Sequence, residues 1–232
     1  LLTNTGGWEK SNGQFTQDSR FSPDGKTIAY NWFTRGSGYE LRVMNADGSG
    51  VRTLGWAGVP GYPIPHAWSQ DGKMLAVSHY DAAGLTSLHV VTVATGEKRE
   101  VNPAGRLVGN GGSFSPDGKW LVLDNKQFDR SPSDLFILPV AGGKLEPLVT
   151  HPSNDMGPHW SADGRSVLFV SNRSGAYGLW RLPVESGKPA GPPELVRGDL
   201  GNTVRPVGFT KSGSFAYSLL IGGQDIYAAD FD

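Results

Sequence analysis

The carboxylates of this 232-residue chain are the first candidates for chemistry. Asp24, Asp71, Asp117 and Asp163 recur at nearly constant intervals, and a ring of carboxylates is a conceivable metal site. Each, however, follows a Ser and precedes a Gly, as in Ser22-Pro23-Asp24-Gly25 and Ser115-Pro116-Asp117-Gly118. An Asp in that setting bonds the backbone of its own turn, and the Gly accepts positive φ, so a structural role is expected. Five histidines remain. His66 and His159 precede Trp68 and Trp160 by two residues and one, which aims them to opposite strand faces. His79, His89 and His151 are scattered. No metal site and no cofactor are expected from them. Gly25-Lys26-Thr27 echoes the end of a phosphate loop, but Arg20 stands where its first Gly is needed and a hairpin follows. Gly111-Gly112-Ser113-Phe114-Ser115 lacks the last Gly of a nucleophile elbow, and no Cys is present. The chain is therefore expected not to be an enzyme by itself.

The elements that position these residues are repeats. Aromatic-led turns begin at Phe21, Trp68, Phe114, Trp160 and, in degraded form, Phe209, at spacings of 47, 46, 46 and 49 residues. A fixed period of this size marks a repeat architecture. After each turn comes a short alternating apolar run, such as Thr27-Ile28-Ala29-Tyr30 or Trp120-Leu121-Val122-Leu123. A third run follows a polar loop, as in Leu41-Arg42-Val43-Met44. A more polar fourth run, as in Lys98-Arg99-Glu100-Val101, suits an edge. Four antiparallel strands per repeat describe a propeller blade. The expected fold is all-β, a β-propeller of five four-stranded blades in a single domain spanning 1–232. The blades lie at about 14–54, 62–101, 108–149, 155–196 and 203–228, the last closed by the N-terminal strand at 1–5. The motif aromatics are expected to form the core between blades.

Net charge is −1 without a basic block, so nucleic-acid binding has no electrostatic basis. No apolar stretch approaches the length of a membrane span. The 33 Gly and 16 Pro have fixed places in turns and do not signal disorder. The chain begins at Leu1, so a processed or trimmed N-terminus is expected.

The copies Phe21-Ser22-Pro23-Asp24-Gly25-Lys26 and Phe114-Ser115-Pro116-Asp117-Gly118-Lys119, together with Val43-Met44-Asn45-Ala46-Asp47-Gly48-Ser49, resemble the TolB-type propeller repeat, a relative of the WD-type repeat. The resemblance covers nearly the whole chain. It implies a bacterial, periplasmic or otherwise extracytoplasmic protein. Propellers of this kind dock protein partners, form the gates of prolyl-oligopeptidase-like enzymes and occur in certain pectate-fragment lyases. Its matching residues are the structural turns, so it supplies no binding residues.

Function on a rigid scaffold concentrates in variable loops. The connections at Trp32–Tyr39, His79–Thr86, Asn125–Ser133, Asn172–Tyr177 and Leu220–Gln224 differ in length and content, as do those entering each blade. Both sets fall at one end of the fold. That end carries Trp32, Arg35, Trp56, Tyr62, His66, His79, Tyr80, Arg130, Arg173, Tyr177 and Arg205, types enriched at interface hot spots. The expected role is a monomeric binding or scaffold module taking a protein or peptide partner, or a small ligand, at the channel mouth. The alternatives are a peptidase gate with catalytic residues outside this chain and, third, a metal-dependent lyase.

Overall fold

The computed structural model describes residues 13–105, 112–125, 132–201, 204–209, 214–220 and 224–229. All the regular structure among them is β-strand in antiparallel sheets. The chain divides into two compact units, Leu1–Leu107 and Val108–Asp232.

The first unit holds two sheets. In one, β1 (Gln14–Phe15) and β2 (Ser19–Phe21) both pair with β3 (Thr27–Thr34), followed by β4 (Gly38–Asn45) and β5 (Arg52–Gly55). The other runs β6 (Tyr62–Trp68), β7 (Met74–Tyr80), β8 (Thr86–Thr92) and β9 (Lys98–Gly105). The second unit holds three sheets. The first contains β10 (Gly112–Phe114), β11 (Trp120–Asn125), β12 (Asp134–Pro139) and β13 (Glu146–Val149). Next come β14 (Asp155–Trp160), β15 (Ser166–Ser174) and β16 (Ala176–Glu185), with β17 (Lys188–Pro189) and β18 (Glu194–Arg197) both on β16. The last is β19 (Val204–Phe209), β20 (Phe215–Leu220) and β21 (Gln224–Ala229). Residues 1–5, expected to close the last blade, lie outside the described residues, as does Arg130.

The repeated aspartates do what their turns require. Ser22 Oγ donates to Asp24 Oδ1 at 2.7 Å, Lys26 N–H donates to the same oxygen at 3.0 Å, and Thr27 N–H donates to Ser22 Oγ at 2.9 Å. The same three bonds recur at Ser69 and Asp71, at Ser115 and Asp117, and at Ser161 and Asp163. The bond from the Ser hydroxyl is the main cause that holds all four carboxyls below their usual pKa. Gly25, Gly72, Gly118 and Gly164 all take φ near +70°, which a Cβ would strain.

Sheets within a unit pack through the motif aromatics. Trp68 sits in a core with Leu41, Val43 and Leu54 of the preceding sheet, and its Nε1–H donates to Arg20 O at 3.0 Å. Trp160 packs likewise on Val122, Leu135 and Ile137. Burying one such ring removes some 150–250 Å² of surface from water and is worth a few kcal/mol. Phe114 is also buried, but Phe21 is 61% exposed, which corrects the expectation that all these aromatics are core. Trp68 and Trp160 owe their burial to the preceding sheet of their own unit, and no described sheet precedes that of Phe21 in its unit.

Candidate functional site

Of the connections expected to be loops, those between β3 and β4 and between β15 and β16 are largely strand. β3 and β4 stay paired from Thr27↔Asn45 to Thr34↔Gly38, so the turn between them is only Arg35–Ser37. β15 and β16 remain paired to Ser174↔Ala176 around Gly175. Between β7 and β8, 81–85 remains a loop, held by Asp81, whose Oδ1 accepts the N–H groups of Ala83 and Leu85, and the expected loops at 126–131 and 221–223 lie outside the described residues. Extended backbone here satisfies its own polar groups in ladder bonds, which a loop of the same length would leave to water.

This extension creates a feature that the loop reading misses. Phe33 and Tyr39 face each other across β3 and β4, on the same face as Leu41 and Val43, at the end of the core shared with the second sheet. Phe15 lies 4.8 Å from Phe33, Phe33 lies 4.9 Å from Tyr39, Tyr39 lies 5.5 Å from Tyr62, and Tyr62 stacks on Tyr80 at 4.9 Å with rings 4° from parallel. Five half-buried rings thus form one continuous row across two sheets. Such pairs add about 0.5–1.5 kcal/mol each beyond their buried area, which favours this arrangement of the rings. Tyr39 Oη donates to Gln17 Oε1 at 3.2 Å. Burial, then the neighbouring Tyr62, raises the Tyr39 and Tyr80 pKa values, and Asp18 adds to both, so the two hydroxyls stay neutral. Gly61 makes the approach possible: a Cβ there would lie 1.8 Å from Tyr80 O, at φ +105°. The period-2 alternation through Asn31, Phe33 and then Tyr39 carries the signal for this row, once the strand is allowed to continue past Tyr30.

Of the expected site residues, Tyr62 and Tyr80 are in the row, and Arg35 is exposed in the adjoining turn. Trp32 and Trp56 are buried, at 6% and 4% exposure. Arg42 stands over the Trp32 ring at 5.2 Å. Trp56, at φ +62°, stacks on His79 at 5.6 Å, meets His89 edge-on at 5.3 Å and is covered by Lys98 at 4.5 Å. These tryptophans hold the sheet end together and present no flat face to solvent. His66 Nε2 pairs with Ser78 Oγ at 2.8 Å, and its Nδ1 is sealed from water without a partner. Burial, with Arg20 nearby, pushes its pKa down to about 4. His89 is likewise lowered to about 4 by burial, His79 and Lys98. Burial also lowers His79, outweighing Asp81 and the Pro60 carbonyl. These imidazoles are neutral and engaged near neutral pH.

The second unit contains the others. Arg173 is a clamp: its Nη2 meets Asp155 Oδ1 at 2.8 Å, its Nε donates to Ser171 Oγ at 3.0 Å, and the guanidinium lies 5.1 Å and 5.0 Å from the Phe169 and Trp180 rings. Tyr177 packs against a core of Leu168, Val170, Leu179 and Leu200 while remaining half-buried. Arg205 lies on β19 opposite Ser218. The structure therefore joins Tyr62 and Tyr80 directly, and assigns Trp32, Trp56, His79 and Arg173 to internal contacts.

Comparison with known proteins agrees with this architecture. The family described as TolB beta propeller domain matches residues 33–191. The Tol-Pal system protein TolB of Bordetella pertussis is 31% identical over 154 residues, covering 66% of this chain and 34% of that protein. An uncharacterized peptidase of Bacillus subtilis is 27% identical over 173 residues, covering 73% of this chain and 24% of the peptidase. The crystal structure of TolB from Acinetobacter baumannii superposes with a TM-score of 0.67 at 17% identity, over 93% of this chain and 49% of that one. This chain spans about a third of the length of the TolB relative, or less in the case of the peptidase. With repeated antiparallel four-stranded sheets, Ser-Asp turns in register and a family match over more than half its length, the chain belongs to the TolB β-propeller family.

Proposed function

We propose that this chain is a non-catalytic binding module that takes a protein or peptide partner along the aromatic row of its first unit. The observation that carries this is the continuity of Phe15, Phe33, Tyr39, Tyr62 and Tyr80: five half-buried rings held by two sheets. Tyrosine supplies large contact area with only two torsions to freeze, which is why it dominates interface hot spots. Arg35 borders the row in an exposed turn and adds a charged rim. The likeness to Tol-Pal system proteins supports docking of a protein partner in a bacterial, extracytoplasmic setting.

The test is affinity capture from a bacterial lysate with the parent chain and with Tyr62→Ser and Tyr80→Ser. A partner retained by the parent and lost by both variants, with thermal melts otherwise matched, supports the reading. Equal capture by all three refutes it. The similarity to a Bacillus subtilis peptidase favours a second reading, a propeller joined to a peptidase whose catalytic residues lie outside this chain. In that case the row would screen or orient peptide substrates.

A further inference from the structure

Asp18 gives the tyrosine end of the aromatic row a negative sign, opposite to that of Arg35 in the turn after Phe33. The link between β1 and β2 is clamped on Asn31, which is fully buried: Asn31 Oδ1 accepts the N–H groups of Gln17 at 3.0 Å and Asp18 at 3.2 Å, and Asn31 Nδ2 donates to Asp18 Oδ2 at 3.3 Å. Asn31 N–H also donates to Asp18 O at 3.1 Å. The carboxylate is therefore held in place and does not wander with a free loop. Its neighbour Gln17 touches the Tyr39 hydroxyl at 3.2 Å, so Asp18 stands beside the tyrosine end of the row. Its negative charge is felt by the hydroxyls of both Tyr39 and Tyr80. Among the described residues, Asp18 has no ion pair with a Lys or Arg, and its Oδ1 accepts no hydrogen bond. That contrasts with Asp155, whose carboxylate is matched by Arg173.

A fixed, half-buried carboxylate near tyrosine hydroxyls, with their rings beyond, is a complement for a cation. The ring faces carry negative quadrupole density, and a carboxylate gives a charge-assisted hydrogen bond. An ammonium or guanidinium that meets both recovers more of the hydration it gives up than one that meets either alone. Guanidinium fits better, since its plane can lie on a tyrosine while its edge reaches the carboxylate. We propose that the partner's contact with this row is a basic segment whose arginine side chain seats over the tyrosines against Asp18. This rests on the row being the binding face.

The probe is a fluorescein-labelled hexa-arginine peptide, followed by anisotropy at low ionic strength. It is compared with hexa-glutamate, hexaproline and a glycine-serine hexamer. The variants are Asp18→Asn, Tyr80→Leu and, as a control that removes an equal charge from an exposed turn of the same unit, Asp47→Asn. Hexa-arginine is expected to bind the parent, to weaken about tenfold in Asp18→Asn and in Tyr80→Leu, and to be nearly unchanged in Asp47→Asn. Equal weakening by Asp18→Asn and Asp47→Asn would mean diffuse attraction and would overturn the proposal, as would no binding of hexa-arginine. If hexaproline or the neutral hexamer binds in a Tyr80-dependent and Asp18-independent way, the row is a binding face and the basic ligand is wrong. If, in addition, capture from lysate is indifferent to Tyr62 and Tyr80, the binding-face reading fails too.

Discussion

Replacing Arg173 by Ala should cost the second unit about 3–5 kcal/mol, because it leaves a carboxylate buried without its cation. Asp155 is 0% exposed and its Oδ1 lies 2.8 Å from Arg173 Nη2, whose own side chain is only 12% exposed. Ser171 alone cannot replace that charge. The two ring contacts at 5.0 and 5.1 Å are lost as well, at about 0.5–1 kcal/mol each within the same range. Denaturant unfolding followed by circular dichroism measures the deficit, with the slope checked for a change in the unfolding unit. Two companions sharpen it. Adding Asp155→Asn to Arg173→Ala should restore most of the loss, since the buried charge is gone. Burial raises the native pKa of Asp155 above its ordinary value, although Ser171 and Arg173 pull the other way. A carboxyl raised in the native state takes up its proton there first, so native stability gains as pH falls. Without Arg173 the pKa rises further, and the deficit of Arg173→Ala should therefore shrink on acidification from about pH 7 towards pH 4. A deficit under about 1 kcal/mol at neutral pH, or one that grows in acid, would refute the assignment of Arg173 as a structural clamp.

Acid should weaken the parent through its histidines. His66 and His89 have native pKa values near 4 against an unfolded value of about 6.5, so stability falls as pH drops through that window and levels off below 4, with about 3 kcal/mol from His66. His66→Gln should flatten that slope, and an unchanged slope in the variant would contradict it. Gly61→Ala should destabilise by at least about 2 kcal/mol, because its Cβ would fall 1.8 Å from Tyr80 O at a left-handed φ; a crystal structure would show Tyr62 and Tyr80 parted. Ser115→Ala should cost about 1–2 kcal/mol by stranding Trp120 N–H and loosening Asp117, read as a lower denaturation midpoint, and a neutral result would deny the turns their structural role.

How much of this was legible in the chain depends on range. The turns were fully legible, because Ser22, Asp24 and Gly25 and their copies bond only to residues within a few positions, and short-range chemistry leaves its mark on short sequence. The four-strand repeat was legible for the same reason, since alternation and turn residues fix each hairpin locally. The exposure of Phe21 was not legible, because a motif ring's burial is decided by residues distant in the sequence, which the motif does not carry. Arg173, Trp32 and Trp56 have the composition of an interface, yet only packing shows that Asp155, Arg42 and His79 have already engaged them. The aromatic row was half legible. Tyr62 and Tyr80 stand in sequence as candidates. Their continuity with Tyr39, Phe33 and Phe15 needed two sheets to meet and a strand to run further than its apolar pattern. Sequence thus determined the repeat and its turns, where each residue's partners are neighbours in the chain. Tertiary structure decided which aromatic and charged side chains stay accessible, because a side chain's exposure is set by residues that the chain brings near only when folded.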